Sequence, residues 1–262
     1  MIDDAIAWAR AGGQVLREHF GGPAATLQKS DLSNVVTAAD LAAERAIVQA
    51  IRARHPSHSI IAEETGCDWR DSAYTWVIDP LDGTSNFAAG IPWFGLLIAL
   101  LRAGVPVLGV LHLPASGELY CAEIGSGAFR DGVRIAVTPE PLLRNVLWAW
   151  GMDAAEDAAA AARETARLAR VLQRVRNVRA TNSLVDCAYV ADGRLGGMLN
   201  RSTRIWDIAA SMVLIGEAGG LFTQADGAAL SLDVSTHAAD RVYAVLAGAP
   251  ELHRQMLALL RA

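Results

Sequence analysis

The chain has 262 residues, 52% of them hydrophobic and 19% charged, enough apolar material for one large domain or two closely packed lobes. Its 9 prolines and 23 glycines are scattered, so disordered tails and low-complexity segments are not expected. The net charge is −5, and the densest basic stretch, residues 163–179, alternates with Ala, Leu and Val as a solvated helix face does, so neither a nucleic-acid partner nor a membrane surface is indicated.

Taken in chain order, Ile2, Ile6, Ala9, Val15 and Leu16 recur at helical spacing over residues 2–19, and Gly21, Gly22 and Pro23 stop the pattern. A second helix is expected over residues 37–54. Short apolar runs bounded by turn residues then predict strands at 59–62, 75–78, 94–101, 105–113 and 118–122. The turn at Arg102, Ala103 and Gly104 reads as a hairpin, so much of this sheet should be antiparallel. The second half predicts a strand at 146–149, helices at 154–172, 183–191 and 207–218, a strand at 241–246 and a last helix after Pro250, with Gly219 and Gly220 ending the third of these helices. Strands and helices mix without regular alternation, which predicts a layered α+β architecture.

Cys67, Cys121 and Cys187 are odd in number and lack metal-ligand spacing, so they read as structural thiols of a reducing compartment. Acids stand near the N-terminus where a signal peptide needs bases, and the longest apolar run, residues 94–101, is too short to span a bilayer. Both features predict a cytoplasmic protein. No nucleophile elbow, P-loop or dinucleotide fingerprint is present, and His55-Pro-Ser-His58 reads as a turn rather than a zinc site.

Chemistry concentrates at Asp79-Pro-Leu-Asp-Gly-Thr, where two carboxylates follow an apolar run. Pro80 removes a donor and holds Asp79 extended, which predicts that the strand ends there, and Gly83 permits a reversal that lets Thr84 and Ser85 present small donors. In isolation the stretch also fits a plain turn capped by Asp79 and Asp82. Two carboxylates about 4 Å apart repel by about 4 kcal/mol at an effective dielectric near 20, a penalty that a hard cation such as Mg²⁺ removes. Other acids sit at comparable places. Glu63 and Glu64 follow a predicted strand, Asp207 opens a predicted helix, and Asp40 closes a Thr-x-x-Asp capping box.

These stretches together resemble the inositol monophosphatase family of lithium-sensitive, Mg²⁺-dependent phosphatases. Asp79-Pro-Leu-Asp-Gly-Thr-Ser-Asn-Phe87 is similar to its first signature, Trp206-Asp-Ile-Ala-Ala-Ser with Glu217-Ala-Gly-Gly220 to its second, and Ala62-Glu-Glu-Thr65 to its paired-glutamate loop. Val36-Thr-Ala-Ala-Asp40 and Gly125-Ser-Gly-Ala-Phe-Arg-Asp-Gly132 are smaller echoes. The resemblance implies a layered α-β-α-β-α sandwich and a homodimer. It also implies an N-terminal lobe, residues 1–138, with most metal ligands, and a C-terminal lobe, residues 139–262, with Asp207 and the substrate side. One Mg²⁺ would be held by Glu63, Asp79 and the Leu81 carbonyl and a second by Asp79, Asp82 and Asp207, with a third, weaker one near Glu63 and with Lys29 in a loop of the first lobe. Glu63 and Thr84, with Asp40 behind Thr84, would activate the attacking water, and the N–H groups of Gly83 and Thr84 would hold phosphate.

The implied activity is hydrolysis of a small polyol or sugar monophosphate, inositol 1-phosphate by default, with direct attack by a metal-activated water. Histidinol phosphate is the alternative substrate, nucleotide 3'-phosphates and fructose 1,6-bisphosphate rank lower, and a non-catalytic, metal-dependent regulatory binding protein is the alternative of another class. Substrate-side residues would be Asp82, Asn182, Leu184, Asn200 and Asp207. Here the chain departs from the family. Asn200 stands where a sugar-binding glutamate is usual, and Asn182-Ser183-Leu184 replaces a Gly-Ser-Ala stretch, so Asn182 and Leu184 either narrow the pocket or simply pack.

Overall fold

The computed structural model describes residues 1–21, 26–28, 35–152 and 157–261, with side chains for all of these except 26–28 and 35–37. Helix α1 (Ile2–His19) leads to a strand pair, β1 (Thr26–Gln28) and β2 (Val35–Thr37), and then to helix α2 (Ala38–Arg54). Next come β3 (Ser59–Ala62), β4 (Gly66–Asp68), β5 (Tyr74–Asp82), the short helix α3 (Thr84–Ala88), β6 (Gly95–Arg102), β7 (Val105–Leu113), β8 (Glu118–Glu123), β9 (Gly127–Arg130) and β10 (Val133–Ile135). These eight strands form one sheet in the order β10-β9-β8-β7-β6-β5-β3-β4, antiparallel except for β3 against β5. A second sheet of five strands has the order β12-β11-β13-β15-β14. It is built from β11 (Leu147–Trp150), β12 (Asn177–Arg179), β13 (Gly197–Thr203), β14 (Leu221–Gln224) and β15 (Tyr243–Gly248). Helices α4 (Ala158–Leu172), α5 (Val185–Ala191), α6 (Ile205–Glu217) and α7 (Pro250–Arg261) complete the chain.

The contacts stack these elements as α-β-α-β-α. Helices α1 and α2 cover the outer face of the large sheet, α5 and α6 lie between the two sheets, and α4 and α7 cover the far face of the second. Strand β6 shows why its sequence is an unbroken apolar run. Leu96, Ile98 and Leu100 enter the core beneath α1 and α2, whereas Leu97, Ala99 and Leu101 enter the core beneath α5 and α6. A third core, around Trp148, Trp150, Val171, Leu252 and Met256, joins the second sheet to α4 and α7. No helix among the described residues is long and apolar enough to cross a membrane.

Several expectations are corrected. Strand β5 does not end at Asp79; it runs to Asp82 through a break in register, with Asp79 opposite Leu97 and Asp82 opposite Gly95. The extra residue makes a bulge, and a bulge is where a strand tolerates a proline that cannot donate. Strands β4, β9, β10, β12, β13 and β14 carry too few apolar residues in alternation to announce themselves. Helix α4 starts at Ala158, where the Asp157 side chain accepts from the Ala160 N–H at 2.7 Å; the start expected at residue 154 falls outside the described residues, as does Lys29. His55 and His58 do form a turn, with the His58 N–H donating to the His55 carbonyl at 3.2 Å and the rings stacked 4.8 Å apart.

Candidate active site

Three strand or helix ends converge at the seam between the sheets. Strand β5 delivers Asp79, Leu81 and Asp82, the turn after β3 delivers Glu63, and the first turn of α6 delivers Asp207. Gly83 closes the β5 end in the left-handed region, φ 82°, and a Cβ there would lie 2.6 Å from the Trp93 carbonyl oxygen, so only glycine lets the chain turn into α3. The result is a cavity of about 180 Å³. Glu63, Asp79, Leu81, Asp82, Gly83, Thr84, Asn182, Leu184, Asn200 and Asp207 all line it, so the structure brings together every expected site residue except Asp40. Asp40 is buried on α2 and acts on Asp79 through its charge.

Carboxylate oxygens of Asp79, Asp82 and Asp207 lie within 4.8 Å of one another. Burial raises the Asp79 carboxyl well above its ordinary range, and the charges of Glu63, Asp82, Asp207 and Asp40 push it further. Asp82 is likewise raised by burial and then by Asp207, against the lowering effect of the Leu184 N–H, which donates to its Oδ1 at 2.6 Å. Asp79 Oδ1 accepts from the Leu81 N–H at 3.0 Å, fixing the bulge. Asp207 also caps its helix, since its Oδ2 accepts from the Arg204 N–H at 2.7 Å. Crowded, all-oxygen donors, Asp79 buried and Asp82 and Asp207 half-buried, fit a hard divalent cation: repulsion of about 4 kcal/mol per close pair is what Mg²⁺ would remove.

The substrate side differs from expectation in detail. Asn182 adopts φ 48° and gives its side chain to Met152, accepting from its N–H at 2.9 Å and donating to its carbonyl at 2.5 Å. Leu184 is packed in the inter-sheet core and is also among the residues that line the cavity. Asn200 Oδ1 accepts from the Ser202 N–H at 3.0 Å. The Thr84 hydroxyl donates to the Leu81 carbonyl at 2.9 Å.

Two acids escaped the sequence reading. Asp186 lines the cavity from the first turn of α5, its Oδ1 accepting from the Thr181 hydroxyl at 2.8 Å, and burial pushes its carboxyl up to about 7. Glu44 is fully buried on α2 one turn after Asp40 and accepts backbone N–H groups of the Glu63 turn. Each stands as an acid within an apolar helical stripe, and that was the available signal. The thiols of Cys67, Cys121 and Cys187 are pushed up by burial, which makes them poor nucleophiles and suits a structural role.

Comparison with known proteins adds an independent line. The model of the inositol monophosphatase family matches residues 1–262. The inositol-1-monophosphatase ImpA of Mycolicibacterium smegmatis is 36% identical over 234 residues, covering 87% of this chain and 81% of that protein. A fructose-1,6-bisphosphatase/inositol-1-monophosphatase of Thermotoga maritima is 35% identical over 228 residues, covering 86% and 85%. Among solved structures, the extragenic suppressor protein suhB of Bartonella henselae superposes with a TM-score of 0.90 at 30% identity, covering 99% of this chain and 97% of that one.

Proposed function

The chain belongs to the inositol monophosphatase family and is a phosphoric monoester hydrolase, and from that premise we propose that it acts on a small polyol or sugar monophosphate, inositol 1-phosphate by default. The observation that carries this reading is the meeting of Asp79, Asp82 and Asp207 within 4.8 Å in a cavity also lined by Glu63 and Thr84. Glu63, Asp79 and the Leu81 carbonyl would hold one Mg²⁺, Asp79, Asp82 and Asp207 a second, and Glu63 a third, weaker one. Bound Mg²⁺ would supply charge neutralisation for the acids and phosphate and would lower the pKa of the attacking water.

The chain's own groups do the rest. A hydroxyl whose proton is given to Leu81 is left as an acceptor, so Thr84, with Asp40 behind it, would take a hydrogen bond from the attacking water while Glu63 would receive its proton. Gly83 and Thr84 N–H groups at the start of α3 would hold phosphate oxygens, and their fixed positions favour the charge that spreads over them as the P–O bond breaks. Asn200, Leu184, Asn182, Asp82 and Asp207 would bound the organic part. Asn182 acts mainly through the loop it ties to Met152.

The same reading places the protein in the cytoplasm, where three unpaired thiols persist, as a lithium-inhibited homodimer of two lobes, residues 1–138 and 139–262. Phosphate release from inositol 1-phosphate, histidinol phosphate and fructose 1,6-bisphosphate, with and without Mg²⁺, tests it. We expect Mg²⁺-dependent, lithium-sensitive release that is fastest with the inositol ester. Faster release from histidinol phosphate would reassign the substrate, and no release from any ester would leave a binding protein.

A further inference from the structure

We propose that Glu44 is a positioning residue that sets the Glu63 turn for cation binding by clamping the backbone immediately beyond Glu63 from inside the protein. The proposal rests on the reading of Glu63 as a cation ligand.

The turn between β3 and β4 is held at three consecutive amides. The Glu63 N–H donates to the Ile78 carbonyl of β5 at 3.2 Å. The next two donate to one side chain: Glu64 N–H to Glu44 Oε2 at 2.8 Å and Thr65 N–H to Glu44 Oε1 at 2.8 Å. Gly66, at φ 78°, then turns the chain into β4. With the peptide planes on both sides of Glu63 fixed, the direction of its Cα–Cβ bond is fixed too, and that bond leads to the cavity.

A buried carboxylate is an expensive way to satisfy a turn, since the solvent-excluded charge costs several kcal/mol when unpaired. What it offers is a rigid fork of two acceptors that matches two adjacent N–H donors, with charge-assisted bonds roughly twice as strong as neutral ones. Glutamine cannot replace it, because its NH₂ group would face an N–H. The helix that carries Glu44 also carries Asp40 at i−4 on the same buried face, so α2 sends one acid toward Asp79 and the other to the Glu63 turn. A purely architectural anchor would need neither the charge nor this neighbour.

The test is a double-mutant cycle on the full chain, with Mg²⁺ binding measured by calorimetry in the absence of substrate. Glu44→Gln should weaken Mg²⁺ binding about tenfold, as removal of a group that orients a ligand does. In a Glu63→Gln background it should weaken binding no further. Hydrogen exchange in the metal-free protein should show the Glu64 and Thr65 amides losing protection in Glu44→Gln. If that variant does not fold, Glu44→Asp, which keeps the charge but withdraws it by one methylene, should give the same pattern. Unchanged Mg²⁺ affinity in a folded Glu44 variant, or a loss that adds in full to that of Glu63→Gln, overturns the proposal alone. Unchanged affinity in Glu63→Gln overturns the assignment of Glu63 itself, and the proposal with it.

Discussion

Asp79 is an acid whose charge the fold carries with difficulty, being 1% exposed and surrounded by Glu63, Asp82, Asp207 and Asp40. Asp79→Asn should therefore abolish Mg²⁺-dependent phosphate release while raising the melting temperature of the metal-free protein by about 2–4 °C for each kcal/mol of repulsion removed. A variant that keeps its turnover, or one that melts lower than wild type without Mg²⁺, would count against the crowded-acid account. Asp186 allows a pH argument with a definite sign. Its folded-state value of about 7 lies above the 3.8 of an unfolded aspartate, so the stability it contributes is present at low pH and is lost as pH rises through 7. Asp186→Asn still accepts from Thr181 and cannot ionise. It should melt above wild type at pH 8, with the gap closing toward pH 4 at about 1.4 kcal/mol per pH unit. The difference between the two proteins is the quantity to measure, because His55, His58, His112 and His253, all lowered by burial, cost both proteins stability as pH falls below about 6.5. Asp82, Glu63 and Asp207 were legible because each stands at a strand or helix end beside small or turn-forming residues, and Asp79 because a proline follows it inside an apolar run. Glu44 and Asp186 were not, because their partners are backbone amides and a hydroxyl that only the folded chain brings near.

At the scale of elements, α6 ties the site to the large sheet. Its N-terminal turn carries Asp207, and at its other end, about 15 Å away by helical rise, Glu217 accepts the N–H groups of Gly125 at 2.9 Å and Gly127 at 2.7 Å. Two stretches that look separate in the sequence, Gly125-Ser-Gly and Glu217-Ala-Gly-Gly, are therefore the two halves of one contact. Between these ends the helix lies so close to β7 that a Cβ on Gly109 would sit 2.3 Å from the Ala210 carbonyl oxygen. Gly109→Ala must push α6 away, at about 1–3 kcal/mol for overpacking, and must carry Asp207 away from Asp79 and Asp82. Weaker Mg²⁺ binding together with a lower melting temperature is the expected outcome, measured by calorimetry and thermal unfolding, and unaltered Mg²⁺ affinity would show that α6 does not position Asp207. Strands β6 and β7 were legible because both faces are buried and their runs are almost wholly apolar. Strand β13 was not, since Asn200, Arg201 and Ser202 turn toward the cavity and solvent, and the edge strands β10 and β12 bury too little to leave a pattern.

Over the whole molecule, the site belongs to no single layer: the large sheet supplies Asp79 and Asp82, the middle helices Asp207 and the second sheet Asn200. The acids converge only when the layers are stacked, so cation binding and folding share free energy. Mg²⁺ at about 100 times its dissociation constant should stabilise the chain by about 2.7 kcal/mol, and Asp79→Asn should lose most of that gain. Protons and Mg²⁺ compete for the same oxygens. Because burial and mutual repulsion raise Asp79 and Asp82 above the ordinary carboxylate range, these groups still hold protons where free aspartate would not, and each proton must leave before the cation binds. Raising the pH from 6 to 8 should therefore enlarge the Mg²⁺-induced rise in melting temperature, at fixed Mg²⁺ and in a buffer that does not bind the metal. Equal shifts at the two pH values would mean that protons do not compete with Mg²⁺ for these carboxylates over that range, and would count against the raised affinity for protons that burial and crowding give Asp79 and Asp82.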